Sequence, residues 1–329
     1  MRYIIYGAGG IGGVVGARLA QHAHEVVLIA RGRHAAAIRD GGLHLESPDG
    51  TDVLRLPVVE SPAEIEFVER RASGDAASGD VVMVAVKSQD TAAALDALAV
   101  VAPPTLPIVC LQNGVDNERM ALRRFTEVYA VPVLCPTGHL EPGVVTVYST
   151  PISGVFDIGR YPSGSDEICR TVATAMTDST FVSVVRDDVM RWKYAKLMNN
   201  LGNAIEALCG PVKNSLEARV RAEGEAVLRA AGIDFASQDE DRQRRGDLLQ
   251  LRPVDGQRRG GGSTWQSLAR GIGGVETDYL NGEIVLLGRL HDVPTPVNET
   301  LQRLMSAAAS TRQPPASMTE QQIIDQLGR

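Results

Sequence analysis

The chain opens with Tyr3–Ala20, "YIIYGAGGIGGVVGARLA", in which an apolar run is followed by a cluster of glycines. Gly7, Gly9 and Gly12 form G-x-G-x-x-G directly after a predicted strand and directly before a predicted helix. The first glycine permits a tight turn, the second lets the backbone approach a pyrophosphate, and the third lets helix and strand pack closely. The sequence therefore predicts a dinucleotide at the helix N-terminus. The predicted contacts are Gly7, Ala8, Gly9, Gly10, Ile11 and Gly12.

The second strand distinguishes between the nicotinamide cofactors. An NAD site places Asp or Glu after this strand, about 20 residues beyond the glycines, to bind the ribose 2′-OH. Here the strand "EVVLIA" (Glu25–Ala30) is followed by Arg31, Gly32 and Arg33. Two guanidinium groups without a carboxylate favour a 2′-phosphate, bound through charge-assisted hydrogen bonds. The sequence predicts NADP(H), with Arg31 preferred over Arg33 as the phosphate contact.

Short apolar runs alternate with helical patterns up to about residue 187, which is typical of a parallel sheet covered by helices on both faces. From Asp188 onward, long helical patterns replace the strands. We predict an α/β Rossmann-type, doubly wound domain over 1–187 and an all-α domain over 188–329, with an active site in the cleft between them. The predicted strands are Tyr3–Tyr6, Glu25–Ala30, Val81–Val86, Ile108–Leu111 and Val128–Leu134, and the predicted C-terminal helices are Met190–Leu208, Ser215–Ala231, Thr264–Arg289 and Pro296–Ala309.

Two further strand ends carry polar side chains. Lys87 follows "VVMVAV", and Asn113 follows "IVCLQ". Ligands of doubly wound sheets bind outside the carboxyl ends of the strands. We therefore expect Lys87 to contact phosphate or substrate, and Asn113 to be a polar anchor near the nicotinamide.

Composition argues against several classes of partner. The formal net charge of −7 argues against nucleic acid, which attracts basic proteins. The four cysteines are far apart and form no C-x-x-C pair, so we expect reduced thiols and predict no metal site. The sequence contains neither a membrane-spanning stretch nor a secretory signal pattern. We expect a soluble cytoplasmic protein that uses neither nucleic acid nor membrane as a partner.

One predicted helix of the second half has a polar face that carries a single lysine among amides. In "RWKYAKLMNNLGNAIEAL" (Arg191–Leu208), Lys196, Asn200 and Asn203 gather on one side at about 100° per residue, together with Trp192 and Asn199. A lysine so placed can donate a proton to a carbonyl oxygen while the amides orient the substrate. Lys193 is a rival at the edge of the same stripe, and an ordinary solvated face remains the alternative.

A second candidate region follows the glycine-rich stretch before Ser263. Ser263 and Thr264 lie where this loop becomes a helix, so their hydroxyls can cap the helix or bind a substrate carboxylate. Further on, Glu276 shares a predicted helical stripe with leucines, where a carboxylate is costly unless it is paired or functional. Glu283 falls on the same stripe, so spacing alone does not choose between the two.

These segments together resemble the ketopantoate reductase (2-dehydropantoate 2-reductase) family over nearly the whole chain. The segments that carry the resemblance are "GAGGIG" from Gly7, "VKS" around Lys87, "QNGV" around Asn113, "KLMNNLGNA" from Lys196, "ETDYLNG" from Glu276 and "VPTPVN" over Val293–Asn298.

The resemblance implies an N-terminal Rossmann domain, a helical C-terminal domain of the 6-phosphogluconate-dehydrogenase type, and NADPH as hydride donor. It implies that Lys196 protonates the C2 oxygen and that Glu276 binds the substrate hydroxyl or supports proton transfer. The implied substrate contacts are Asn113, Asn200 and a hydroxyl at Ser263 or Thr264, with Arg31 and Lys87 on the cofactor side. We predict Asn203 as a further substrate contact from its place on the polar face.

The sequence departs from the family pattern at two places. The family places amides four and eight residues after its lysine, whereas here Asn200 is followed by Ala204, with Asn203 as the nearest amide. The segment "STWQSL" at 263–268 has Trp265 where the family usually has Met, so we expect a narrower pocket.

Reduction of ketopantoate to pantoate in pantothenate biosynthesis is the function we expect. The alternatives are reduction of another small-molecule 2-oxo acid, a 3-hydroxyacid dehydrogenase, and a non-catalytic NADP-binding regulator. The sequence leaves the oligomeric state open and permits a homodimer.

Overall fold

The computed structural model describes residues 1–69, 78–211, 215–271 and 273–327. The strands are β1 Arg2–Tyr6, β2 Glu25–Ile29, β3 Leu43–Ser47, β4 Gly50–Leu54, β5 Val58–Val59, β6 Asp80–Val84, β7 Ile108–Cys110, β8 Val128–Ala130, β9 Thr137–Gly138, β10 Val144–Val147, β11 Gly154–Val155, β12 Gly159–Arg160 and β13 Phe181–Val182. The helices are α1 Gly10–Gln21, α2 Gly32–Gly41, α3 Ser88–Ala99, α4 Asn117–Leu122, α5 Glu167–Asp178, α6 Val189–Asn200, α7 Asn203–Cys209, α8 Leu216–Ala230, α9 Gln238–Arg245, α10 Ser263–Ala269, α11 Asn281–Leu290, α12 Pro296–Ser310 and α13 Glu320–Ile324, with 3₁₀ turns at Pro62–Glu64 and Glu276–Tyr279.

A seven-stranded sheet organises the first half, in the order β12-β8-β7-β6-β1-β2-β5. Its strands pair in parallel except β12, which runs antiparallel to β8. Side chains of β1 alternate between two cores: Tyr3 and Ile5 pack with residues of α1 and α5, whereas Ile4 and Tyr6 pack with residues of α3 and α4. Helices therefore cover both faces, and the predicted doubly wound architecture is confirmed.

A second sheet, in the order β4-β3-β10-β9, was not predicted. Its β3–β4 hairpin has a recognisable signal, because Leu43, Leu45 and Ser47 alternate as buried residues before a Pro-Asp-Gly turn. The two-residue strand β9 has no such signal. It pairs antiparallel with β10, the next strand along the chain.

Two helices predicted as continuous are interrupted. The pattern over Met190–Leu208 forms α6 and α7, which are separated at Leu201 and Gly202. The break coincides with a tertiary contact, because Asn281 Nδ2 donates to the Leu201 carbonyl at 3.1 Å. The pattern over Thr264–Arg289 forms α10, a 3₁₀ turn and α11, with left-handed glycines at Gly271 and Gly273 after α10.

The chain divides into two compact units, and each contains two segments. The first unit is Met1–Lys193 with Asp239–Arg259, and the second is Tyr194–Gln238 with Gly260–Arg329. The predicted border at 187/188 lies close to the first crossing, whereas the return of Asp239–Arg259 to the first unit had no signal in the hydrophobic pattern. All regular elements among the described residues of the second unit are helical. No helix in the described ranges has the length and apolarity that a membrane span requires.

Candidate active site

The glycine-rich loop is shaped by steric limits at its two ends. Gly7 has φ +104°, and a Cβ added there would lie 2.8 Å from the Val86 nitrogen. A Cβ at Gly12 would lie 2.2 Å from the Gly7 carbonyl oxygen, so helix α1 packs against the loop only without a side chain. A Cβ at Gly9 would meet nothing closer than 3.7 Å. The open side of the loop at Gly9 is therefore available for a ligand to approach the backbone.

His34 holds this loop from helix α2. Its Nδ1 accepts from the Gly143 N–H at 2.9 Å, so the proton of the neutral ring is on Nε2. Nε2 lies 2.7 Å from the Ala8 carbonyl oxygen, to which it donates. The sequence prediction missed His34, since nothing local indicates its two partners.

Arg31 lies where the sequence prediction places it, at the end of the second strand and at the N-cap of α2. Its guanidinium donates to the hydroxyl of Tyr6, the last residue of β1. Burial raises the pKa of the Tyr6 phenol, and the charge of Arg31 opposes that rise. Because Tyr6 precedes Gly7, Arg31 is positioned beside the glycine-rich loop.

Lys87 and Asn113 are joined by a buried polar network. Lys87 is the N-cap residue of α3, and its carbonyl lies 3.3 Å from the Thr91 hydroxyl, which can donate to it. Asn117 Nδ2 donates to the Asn113 carbonyl at 2.9 Å and to Ser88 Oγ at 3.2 Å. Thr91 Oγ1 donates to Asn117 Oδ1 at 2.9 Å, and the Gln112 amide donates to Thr91 Oγ1 at 2.7 Å. The structure therefore places both predicted residues at one edge of the sheet.

Lys193 is enclosed in the first unit. Its side chain is 2% exposed, and its Nζ lies 2.6 Å from the fully buried Glu118 carboxylate. Nζ also donates to the Gln112 carbonyl at 2.9 Å. Lys196, one helical turn later, is half-buried instead. Burial therefore separates two lysines that spacing left as rivals, and it assigns Lys193 a structural role.

The end of α6 is fixed by two asparagines from the motifs that carry the family resemblance. Asn200 is 4% exposed at the last position of α6. Asn281 Nδ2 donates to the Leu201 carbonyl and, at 3.0 Å, to Asn298 Oδ1. Asn298 Nδ2 in turn donates to Glu223 at 2.8 Å. This buried chain of hydrogen bonds positions the backbone directly after Asn200.

Asn203 and the start of α10 come together in the second unit. A Cβ at Gly262 would lie 3.9 Å from Asn203 Oδ1 and 2.6 Å from Glu206 Oε2. Glu206 accepts from the Gly262 N–H at 3.2 Å. Ser263 does not cap α10, because the N-cap residue is Gly262 and no side chain makes a capping hydrogen bond. Thr264 is 4% exposed, so Ser263 is the more accessible hydroxyl.

Trp265 packs against the glycines that precede α10. A Cβ at Gly261 would lie 2.6 Å from the indole Cγ, and one at Gly260 would lie 2.9 Å from Cη2. Gln266 Nε2 donates to the Gly261 carbonyl at 3.1 Å. The two glycines therefore admit the indole ring, which holds the loop against its own helix.

A cavity of about 670 Å³ lies within the second unit. Its lining includes Asn199, Asn203, Glu206 and Arg221, whereas Lys196 and Asn200 are not among the described residues that line it. Asn199 before the break and Asn203 after it therefore both belong to the cavity wall, whereas Asn200 does not.

Glu276 is 6% exposed, whereas Glu283 is half-buried. Glu276 is the first residue of a 3₁₀ turn and does not lie within a long helix. The predicted helical stripe that Glu276 would share with Glu283 therefore does not exist. Arg270 interacts electrostatically with Glu276. Burial lowers the pKa of the Arg270 guanidinium, and the Glu276 carboxylate opposes that effect. A buried carboxylate that interacts with a half-buried cation makes Glu276 a candidate functional residue.

Three charged residues next to the candidate site residues were not predicted from the sequence. Glu206 contacts Gly262, Arg270 interacts with Glu276, and Glu60, the residue after strand β5, contacts Gly32. Glu206 had a signal, since it lies three residues after Asn203 on the same helical face. Arg270 and Glu60 had none, because their partners are set by turns and by an edge strand that carry no periodicity.

Comparison with known proteins identifies the family. The family model "Ketopantoate reductase PanE/ApbA" matches residues 3–163, and its C-terminal counterpart matches residues 188–309. The 2-dehydropantoate 2-reductase of Halobacterium salinarum is 30% identical and aligns over 94% of this chain and 99% of its own length. A crystal structure of a PanE/ApbA family ketopantoate reductase from Ralstonia eutropha JMP134 is 28% identical, with a TM-score of 0.77 over 95% of this chain and 100% of that one. A ternary structure of D-mandelate dehydrogenase with NADH and anilino(oxo)acetate shares the fold, with a TM-score of 0.78, 20% identity, and coverage of 95% of this chain and 99% of that one. The chain belongs to the ketopantoate reductase family.

Proposed function

We propose that this protein reduces 2-dehydropantoate (ketopantoate) to pantoate with NADPH, a reaction of pantothenate biosynthesis. The observation that carries the proposal is that one family framework spans both units, with the glycine-rich loop in the first and Lys196 beside Asn200 in the second. The relatives named 2-dehydropantoate 2-reductase support this reaction over a 3-hydroxyacid dehydrogenase or a non-catalytic regulator.

The residues of the first unit fit a nicotinamide dinucleotide. The loop from Gly7 to Gly12 has no room for side chains at its ends and is open at Gly9, as a pyrophosphate cradle requires. We propose that Arg31 binds a 2′-phosphate, and that Lys87 and Asn113 contact the cofactor at the neighbouring strand ends. When bound, the nicotinamide supplies a hydride to C2 of the keto acid.

The second unit supplies the proton and orients the substrate in this proposal. Lys196 donates a proton from its ammonium group to the C2 oxygen, so that hydride and proton together convert the carbonyl to a hydroxyl, and the neutral amine then regains a proton from water. Glu276 accepts a hydrogen bond from a substrate hydroxyl. Asn113, Asn200 and Asn203 bind substrate oxygens, and Ser263 or Thr264 binds the carboxylate. We also propose a cytoplasmic location, since all four cysteines are unpaired.

Oxidation of NADPH by the purified protein, followed with a panel of 2-oxo acids, tests the proposal. We expect the highest kcat/KM with 2-dehydropantoate. Preference for another 2-oxo acid would retain the chemistry and replace the substrate. Turnover only with a 3-hydroxy acid and NADP⁺, or cofactor binding without turnover, would contradict the proposal.

A further inference from the structure

A carboxylate contacts the backbone next to Arg31 at the sheet edge, although the carboxyl end of the second strand carries none of its own. Strand β5 pairs in parallel with β2, so Glu60 follows β5 at the edge where Arg31 follows β2. Glu60 Oε2 accepts from the Gly32 N–H at 3.2 Å, and Oε1 lies 3.4 Å from Arg39 Nη2. Glu60 is therefore adjacent to the subsite that we assign to the adenosine ribose.

The backbone that carries Glu60 is held in place. Glu64 Oε1 accepts from the N–H of Glu60 at 3.0 Å and from the N–H of Ser61 at 2.9 Å. Ser61 and Glu64 form a reciprocal capping box around the 3₁₀ turn that follows. The side chains of Arg39 and Glu60 are 50% and 48% exposed, so their ion pair is weak. A fixed backbone with a loosely paired carboxylate leaves Glu60 able to exchange partners when a ligand arrives.

The position of Glu60 sets it against a 2′-phosphate. The first amide of α2, at Gly32, is an anion donor that the Glu60 carboxylate already occupies. A carboxylate repels a phosphate, whereas it accepts hydrogen bonds from a ribose hydroxyl, which is how NAD sites bind the 2′-OH. The positive charge of Arg31, in contrast, attracts the phosphate. The subsite thus contains Arg31, which favours NADPH, and Glu60, which favours NADH.

We propose that Glu60 is a cofactor-specificity residue that reduces the preference of this protein for NADPH over NADH. The carboxylate supplies an acceptor for the 2′-OH of NADH and opposes the 2′-phosphate of NADPH. This inference rests on the proposed function only in taking a nicotinamide dinucleotide as ligand. Its test is an equilibrium measurement that requires no turnover.

The experiment titrates the full-length protein with NADPH and with NADH at fixed ionic strength, and determines each Kd from nicotinamide fluorescence. Glu60→Gln should increase the ratio of the NADH Kd to the NADPH Kd about tenfold, as expected when one like charge beside a phosphate is removed. Glu25→Gln is the matched control, because it removes the same charge from the opposite end of β2. An unchanged ratio in Glu60→Gln, or an equal shift in the control, would overturn the proposal.

Titration with nucleotide fragments separates the subsite from the rest of the cofactor. Glu60→Gln should bind adenosine 2′,5′-bisphosphate more tightly by the same factor and should leave adenosine 5′-monophosphate within about twofold or weaken it. Equal changes for both fragments would show a structural effect and contradict the inference. If these affinities shift as expected while 2-dehydropantoate is not reduced, the proposed reaction fails and the assignment of Glu60 stands.

Discussion

At the scale of single residues, burial resolves what sequence spacing leaves open. Lys193 and Lys196 are one helical turn apart, yet Lys193 is 2% exposed in an ion pair with Glu118 and Lys196 is half-buried. Glu276 and Glu283 separate in the same way, with Glu276 at 6% exposure. A proton donor must reach its substrate, so accessibility favours Lys196 for that role. Burial and the electrostatic interaction with Arg270 favour Glu276 over Glu283 as the functional carboxylate.

Arg31→Ala should weaken NADPH binding by about 10- to 100-fold, because a charge-assisted hydrogen bond to the 2′-phosphate is lost. NADH affinity should change less than about threefold, since NADH lacks that phosphate. Fluorescence titration of both cofactors measures the two effects. Arg33→Ala, two residues away, is the control and should leave both affinities close to those of the unsubstituted protein. Equal weakening of NADPH and NADH by Arg31→Ala would refute the phosphate assignment.

At the scale of elements, most of the seven-stranded sheet could be predicted from the sequence, whereas the second sheet was missed and the helical half was predicted only in outline. Strands β1, β2, β6 and β7 are short, mostly apolar runs that end at the same edge of the sheet, so the residues predicted for a dinucleotide site follow from local pattern. The interruption at Leu201 coincides with a hydrogen bond from Asn281, which the 3.6-residue periodicity does not reveal. The position of Glu60 depends on the pairing of β5, a two-residue edge strand, with β2. Positions set by long-range partners were therefore missed, whereas the positions of residues at strand ends followed from the sequence, and their roles stay predictions.

The buried ion pair between α6 and α4 supports a prediction on stability. Lys193→Met should lower the free energy of unfolding by about 3–5 kcal/mol, because Glu118 then remains buried without a counter-charge. Combining it with Glu118→Leu should restore most of that loss, since an apolar pair needs no desolvation of charge. Urea denaturation followed by circular dichroism measures both. A double variant as unstable as the single one would show that packing rather than charge is lost.

At the scale of the whole molecule, the chain passes between its two units three times. The crossings lie between residues 193 and 194, 238 and 239, and 259 and 260. The segment Asp239–Arg259 is held in the first unit by Asp157, a buried carboxylate that accepts from both Arg186 and Arg244. Arg191 adds a contact to Glu240 at 2.9 Å. These ion pairs, together with backbone hydrogen bonds from Thr150 to Gln250 and from Arg252 to Tyr148, hold the segment in the first unit.

Asp157→Asn should release this segment locally. Loss of the shared carboxylate leaves two guanidinium groups without their counter-charge, at a cost of about 3 kcal/mol, or roughly a hundredfold in the local opening equilibrium. Hydrogen exchange of backbone amides over 239–259 should accelerate while that of α8 stays unchanged. Asp239→Asn, which alters an exposed pair with Arg242, is the control and should change neither. Uniform acceleration in both units would contradict a local role.

The most direct test of the account is a single-turnover measurement on Lys196→Ala. The protein is saturated with NADPH and mixed with 2-dehydropantoate, and the loss of NADPH absorbance gives the rate of reduction. The rate should fall by about 10²- to 10⁴-fold, the usual contribution of a general acid, while the NADPH Kd stays within about twofold. Asn199→Ala, on an exposed position of the same helix, should retain the rate. An undiminished rate in Lys196→Ala, or a loss of NADPH affinity in parallel with the rate, would contradict the claim that Lys196 donates the proton.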